Sequence, residues 1–128
     1  MTPTQRTLKK LKARGLICAV VEKYNIHARR SDGKRGVRQD LFGIIDILAL
    51  DPARGVVGVQ STGSDFAGHH KKITQEKSKE AIAWLRTPGT HLELYGWRKI
   101  KRGGRMIWAP RIHVYTLEEF VDFDPLKF

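Results

Sequence analysis

Asp46 stands inside an apolar run, Leu41-Phe42-Gly43-Ile44-Ile45-Asp46-Ile47-Leu48-Ala49-Leu50. An unpaired carboxylate in such company is heavily penalised unless a cation or several donors hold it. The run is apolar on both faces, which reads as a central strand covered from two sides. Asp51-Pro52-Ala53-Arg54-Gly55 reads as a turn and Val56 to Thr62 as the returning strand. Pairing Leu50 with Val56 across that turn carries the register back to Asp46 opposite Gln60. Directly opposed residues hold their Cβ atoms about 5 Å apart on one face, and Thr62 shares that face because side chains alternate. Two oxygen ligands so placed can share a hard cation, with water and a phosphate oxygen completing a shell at about 2.1 Å for magnesium. A slip of one residue would send the two side chains to opposite faces. The plainer readings are a structural carboxylate held by backbone donors or an arginine, and a Gln60 that merely hydrogen-bonds it.

The elements that must position these residues follow from local signals. Thr2-Pro3-Thr4 is a helix start, with a capping hydroxyl and a proline in the first turn. The helix runs to Arg14 with Leu8 and Leu11 inward and Lys9, Lys10 and Lys12 outward, and Gly15 suits a left-handed stop. Leu16 to Tyr24 is short and β-branched and reads as a strand. Asn25 to Arg38 is basic and irregular, a mobile loop or twisted edge with a Ser31-Asp32-Gly33 turn. Gly63-Ser64-Asp65 caps a helix from about Phe66 to Arg86, with Ile73, Ala81, Ile82 and Leu85 buried and Pro88-Gly89 as its stop. His91 to Lys101 alternates as a strand, Gly103-Gly104 is a tight turn, and Arg105 to Tyr115 returns. The tail from Leu117 carries Glu118, Glu119, Asp122 and Asp124, placed to close against the basic body. The expected fold is one α/β domain over residues 1–128 with a mixed sheet flanked by helices: a core over about 4–98, then a basic hairpin and acidic tail over about 99–128.

Composition bounds the partner. Lys and Arg number 24 against 13 Asp and Glu, a net charge of +11. That excess must be solvated or matched by a polyanion, and phosphate backbones are the commonest match. A membrane-surface protein would want a longer and more apolar amphipathic helix than the N-terminal segment offers. The single cysteine, Cys18, excludes an internal disulfide and a multi-cysteine zinc site, and its apolar neighbours suggest a buried, inert thiol. No apolar run approaches the ~20 residues of a membrane span, and no signal peptide opens the chain. A cytoplasmic setting is expected.

A strand bearing Asp, a turn, a second strand ending in acid-or-Gln, any residue and Lys, and then a helix resembles the PD-(D/E)XK nuclease pattern, from about Thr4 to Trp97. Arg14-Gly15-Leu16, Gly43 to Ala49 and Val57 to Thr62 look like the archaeal Holliday-junction-resolvase branch. The segment Asp40-Leu41-Phe42-Gly43 running on to Asp46, Val59-Gln60-Ser61-Thr62 and Gly96-Trp97-Arg98-Lys99 look like related phage and bacterial proteins. The resemblance implies a restriction-endonuclease-like αβββαβ core with a C-terminal β-hairpin extension. It implies that Asp46 is the metal aspartate, that Gln60 takes the second ligand position, and that the Ser61 carbonyl completes the set, with magnesium, or manganese as substitute, as the ion. Thr62 occupies the place of the catalytic lysine, so Lys71 or Lys72 on the following helix is the expected replacement. The resolvase branch has a glutamate in its first helix, which this chain lacks there. Glu22 or Asp40 is the substitute, and Asp40 reaches the same ion only if the chain bends, at Gly43. A homodimer is an expectation by resemblance alone.

Candidate phosphate contacts are Arg30, Arg35 and Arg38 in the basic stretch, His70 on the helix, and Arg98, Lys99, Lys101 and Arg102 beside the Gly-Gly turn. Each also reads as ordinary solvated charge, and Trp97 as core rather than a stacking platform. The expected activity is metal-dependent hydrolysis of DNA phosphodiesters, with branched or junction DNA as the substrate that the resemblance implies and RNA as a lesser partner. The competing expectation is a catalytically inactive nucleic-acid-binding module on the same fold.

Overall fold

The computed structural model describes residues 1–120 and is a mixed α/β fold built on a mixed five-stranded sheet. Helix α1 (Pro3–Ala13) begins as expected: the Thr2 hydroxyl accepts from the Gln5 N–H, and the Gln5 side chain accepts from the Thr2 N–H. Gly15, at φ 81°, turns the chain into strand β1 (Ile17–Val20). Leu16 to Tyr24 is therefore not one strand. The chain leaves the main sheet after Val20 and re-pairs elsewhere as β2 (Lys23–Arg29), which runs antiparallel to β3 (Arg35–Gln39) in a separate two-stranded hairpin. The segment expected as a mobile loop or edge is this hairpin. Its residues are mostly exposed, so it lacks the apolar alternation that marks a half-buried strand.

A second correction concerns Leu41 to Leu50. Only the latter half is strand, β4 (Ile47–Asp51). Phe42 (φ 55°) and Gly43 (φ 75°) reverse the chain, and Leu41 bridges Ile45. The stretch is uniformly apolar because Ile44 and Ile45 pack into the core from a turn. Strand β5 (Gly55–Thr62) pairs with β4 in the expected register, Leu50 with Val56 and Ile47 with Val59.

Asp65 caps helix α2 (Phe66–Lys71), accepting from the Gly68 N–H at 3.2 Å. The expected continuous helix is interrupted by a π-helical stretch, Lys72–Glu76, and a break at Lys77 before helix α3 (Ser78–Arg86). Ile73, Ala81 and Ile82 are buried as expected, and Leu85 is half-buried. Strand β6 (Thr90–Arg102) lies parallel to β5, and Gly103 and Gly104, both at positive φ, turn it into antiparallel β7 (Arg105–Val114). The sheet order is β1-β4-β5-β6-β7. Glu118 and Glu119 lie in a 3₁₀ turn, Leu117–Glu119, where Glu119 bonds His113. Asp122 and Asp124 fall outside the described residues.

Residue parity divides the core into two layers. Leu11 of α1 packs with Ile47, Ala49, Val57, Val59, Tyr95 and Trp97 on one face. Ile73, Ala81 and Ile82 pack with Ile44, Ile45, Leu92 and Leu94 on the other. Ser61 therefore belongs to the α1 face, where its hydroxyl meets Thr7 at 2.8 Å. Gln60 and Thr62 face the second helical layer. No helix among the described residues is long and apolar enough to cross a membrane.

Candidate metal centre

The hairpin β2–β3 and the turn after it bring three carboxylates together. Lys23 pairs with Gln39 at the hairpin's open end, so Glu22 and Asp40 are the next residues beyond that pair, one on each strand. The Phe42–Gly43 reversal then returns the chain to Asp46, whose backbone is locked between strands: its N–H donates to the Val59 carbonyl and its carbonyl accepts from the Val21 N–H, each at 2.8 Å. Carboxylate oxygens of Glu22, Asp40 and Asp46 all lie within 4.8 Å of one another. Asp40 thus reaches Asp46 by the bend at Gly43. Glu22, for which the sequence offered no pairing, arrives through the hairpin.

Around this cluster stand one carboxamide and two cations. Gln60, only 1% exposed, donates from Nε2 to Asp40 Oδ2 at 3.0 Å. Its Oε1 is buried with no hydrogen-bond partner among the described residues. Lys72 Nζ lies 3.4 Å from the same Asp40 oxygen, and Arg38 Nε lies 3.3 Å from Glu22 Oε1. The Asp46 carboxylate accepts from the Ser61 N–H at 2.8 Å.

The electrostatics separate the two aspartates. Burial pushes Asp46 up to about 8, helped by its hydrogen bond to Asp40 and by that neighbour's charge, against the lowering pull of the Ser61 N–H. Burial acts upward on Asp40 as well. Hydrogen bonds from Asp46 and Gln60, together with the Lys72 ammonium, outweigh it and hold that carboxyl below its ordinary value. At neutral pH the pair accordingly keeps one proton between them, seated on Asp46. Such a site holds like charges together only by protonation or by a cation.

The other sequence candidates scatter. Thr62 is buried at the end of β5, on the Gln60 face, and Lys71 is exposed, so Lys72 is the lysine that the fold delivers to the cluster. Arg30 pairs with Asp32 at 2.9 Å at the hairpin tip, and Arg35 is exposed on β3. His70 is not a free phosphate contact: its Nδ1 meets the Tyr115 hydroxyl at 2.9 Å, and its ring stacks on Phe66 and Tyr115. Arg98, Lys99, Lys101 and Arg102 are all exposed on β6. Trp97 is buried, its N–H donating to Thr7 Oγ1 at 2.8 Å. Cys18 is a free thiol and only half-buried, less sheltered than its neighbours suggested.

Two features went unread in the sequence. Thr7 supports the sheet beneath the cluster, joining Ser61 and Trp97, and a threonine within a helix carries no signal of that role. Glu93 is another buried carboxylate in an apolar strand, the same signal that singled out Asp46, and it is structural: Arg54 Nη1 lies 2.6 Å away, and the same guanidinium holds the buried Asp51. The difference lies in the partners. Glu93 has a guanidinium, whereas Asp46 has two further carboxylates and a carboxamide with an unsatisfied oxygen. No family model matches the chain, and neither a curated protein nor a solved structure matches it.

Proposed function

We propose that this chain is a divalent-cation-dependent, nuclease-like protein of the PD-(D/E)XK type that hydrolyses DNA phosphodiester bonds. Its order of α1, β1, β4, β5, helix and β6 is read as the αβββαβ core, with the β2–β3 hairpin inserted and β7 appended. The observation that carries the proposal is the convergence of Glu22, Asp40 and Asp46 beside Gln60, whose buried Oε1 has no donor among the described residues. An amide oxygen with nothing to accept is costly. Turning the amide would aim that oxygen at the carboxylates, where a cation would be its partner, and would put the amide NH₂ in the position the oxygen leaves.

The donor set fits the ion. Carboxylates and an amide oxygen, with neither thiolate nor imidazole, suit magnesium or manganese rather than zinc. Glu22, Asp40, Asp46 and Gln60 would hold the cation, with the Ser61 carbonyl as a further oxygen. When bound, such an ion polarises a phosphoryl oxygen and lowers the pKa of water. Lys72, once its contact with Asp40 loosens, supplies an ammonium to offset negative charge on the phosphorane. The Thr62 hydroxyl, where the family pattern has its lysine, offers only orientation. The exposed cations of β6 and β3 serve as backbone contacts that position the strand.

The alternative, a catalytically inactive nucleic-acid-binding module, is favoured by Thr62 in the lysine position and by Lys72 already paired with Asp40. Incubating the protein with linear, flap and junction DNA in magnesium or manganese separates the two. Cleavage that disappears in Asp46→Ala while binding persists supports the enzyme. Intact DNA with salt-dependent binding supports the module.

A further inference from the structure

Beyond the end of β5 lies a concave slot of about 570 Å³ whose makeup differs from that of the acidic cluster. Its floor includes Gly63 and Gly96. A Cβ on Gly63 would meet only Pro3 Cγ at 3.7 Å, whereas one on Gly96 would collide with the Phe66 ring at 2.5 Å. Glycine at position 96 is what lets that ring lie against the strand. Its walls include two aromatic rings, each with one face under a cation. Arg111 sits 4.0 Å from the centre of Phe66. Arg6 of α1, which does not line this slot, sits 3.9 Å from the centre of Trp108, leaving the opposite indole face to the slot. Trp108 is 43% exposed, and Lys99 Nζ lies 5.4 Å from its ring centre. A second hollow on α1 shares Trp108 and adds Lys9 and Lys10. No carboxylate lines either one among the described residues.

An exposed indole between two carboxylate-free basic hollows fits a ligand that is both planar and anionic. We propose that the slot takes an unpaired nucleotide of a nucleic-acid strand, its base against Trp108 and its phosphate beside Lys99 on the same face of the sheet, with Arg98 and Arg111 on the other face receiving the flanking backbone. Stacking of this kind needs a base with a free face, which a paired and stacked duplex does not offer, while the cations follow the backbone. Gly63 is three residues past Gln60, roughly 10 Å along an extended strand. Trp108 stands on the α1 face and Gln60 on the other, so a strand that meets both sites passes round the end of β5. The inference rests on the nuclease reading and deepens it: the substrate is DNA with an unpaired stretch, engaged next to the cleavage site.

The test uses the full chain in EDTA, so that binding is measured without cleavage. Fluorescence anisotropy compares a labelled single-stranded oligonucleotide with a blunt duplex of the same sequence, and a deoxynucleoside monophosphate serves as competitor. Wild-type protein is expected to prefer the single strand. Trp108→Ala should weaken that binding about tenfold or more, leave duplex binding nearly unchanged, and be largely rescued by Trp108→Phe. Gly63→Leu, which fills the slot without removing a ring or a charge, should have the same selective effect and keeps the test alive if the tryptophan variant misfolds. Equal losses on both substrates, or none in either variant, overturn the inference while leaving the nuclease reading in place. A monophosphate that binds as tightly as the oligonucleotide also overturns it, assigning the slot to a free nucleotide. No affinity for any nucleic acid would instead remove the parent reading.

Discussion

Replacing Asp46 by asparagine separates a cation site from a structural carboxylate. With its pKa raised to about 8, the folded Asp46 carries a proton at neutral pH, and a neutral amide of the same shape reproduces that state. The new oxygen can accept from the Ser61 N–H and the new NH₂ can face Asp40. The sign follows from proton counting. Between the ordinary carboxyl value near 4 and pH 8, the folded protein holds a proton that the unfolded chain has lost. Cation-free stability therefore falls as pH rises through that window, by at most about 1.4 kcal/mol per unit. Asp40, lowered from its ordinary value, works in the other sense only at acid pH, where its contribution is lost as pH drops. Melting curves in EDTA from pH 5.5 to 8.5 should slope downward for wild type and stay flat for Asp46→Asn, with the variant the more stable at pH 8. Manganese should invert the order. Since the ion displaces one proton, wild-type affinity is expected to rise about tenfold per pH unit up to pH 8, and calorimetry should find little or no binding in the variant. If the variant loses several kcal/mol at pH 7 in EDTA, Asp46 was ionised and structural, and the reasoning fails.

Gln60→Glu adds a fourth carboxylate, so calorimetry should show manganese binding at least tenfold tighter, while cation-free melts at pH 7 move down. Lys72→Ala frees Asp40 and should leave cation affinity equal or higher, yet lower any cleavage rate by about 10²-fold or more, read by single-turnover assays. Gly43→Ala must hold a side chain at φ 75° with its Cβ 2.9 Å from Lys77 Cε. Urea denaturation should show a loss of about 1–2 kcal/mol and calorimetry a weaker cation site, whereas Gly33→Ala, at φ 81° in open space, should lose stability without touching cation binding. Thr7→Val leaves Ser61 Oγ and Trp97 Nε1 short of a partner and should cost about 1–3 kcal/mol, with cation affinity unchanged.

The β4–β5 hairpin was readable in advance because a proline-containing turn between two apolar runs admits one sensible register. The register holds from Asp51 to Ile47. Asp46 sits at a bend just before the strand, its N–H bonded to the Val59 carbonyl rather than opposite Gln60, and its side chain meets Gln60 from there. The helix cap at Thr2, the stop at Gly15 and the Gly103-Gly104 turn were legible for the same reason: each depends on residues a few positions apart. What the sequence concealed lies further apart. Leu41 to Asp46 is as apolar as a buried strand, and periodicity cannot distinguish a strand from a turn sunk between a sheet and its helices. The β2–β3 hairpin carries too little buried surface to imprint an alternating pattern. Lys77 breaks a helix whose local composition favours continuity. Glu22 and Asp40 depend on all these hidden features at once, which is why their approach to Asp46 could be stated only as a condition.

The hairpin that carries Glu22 and Asp40 at its root also holds Arg30, Arg35 and Arg38 along its length. Root and blade share two short strands and no other sheet. A polyanion pressing on the blade pulls on the same two side chains that complete the acidic pocket, and whatever draws those side chains inward also fixes the angle of the blade. On the nuclease reading, capture of a backbone and assembly of the pocket would be two ends of a single lever.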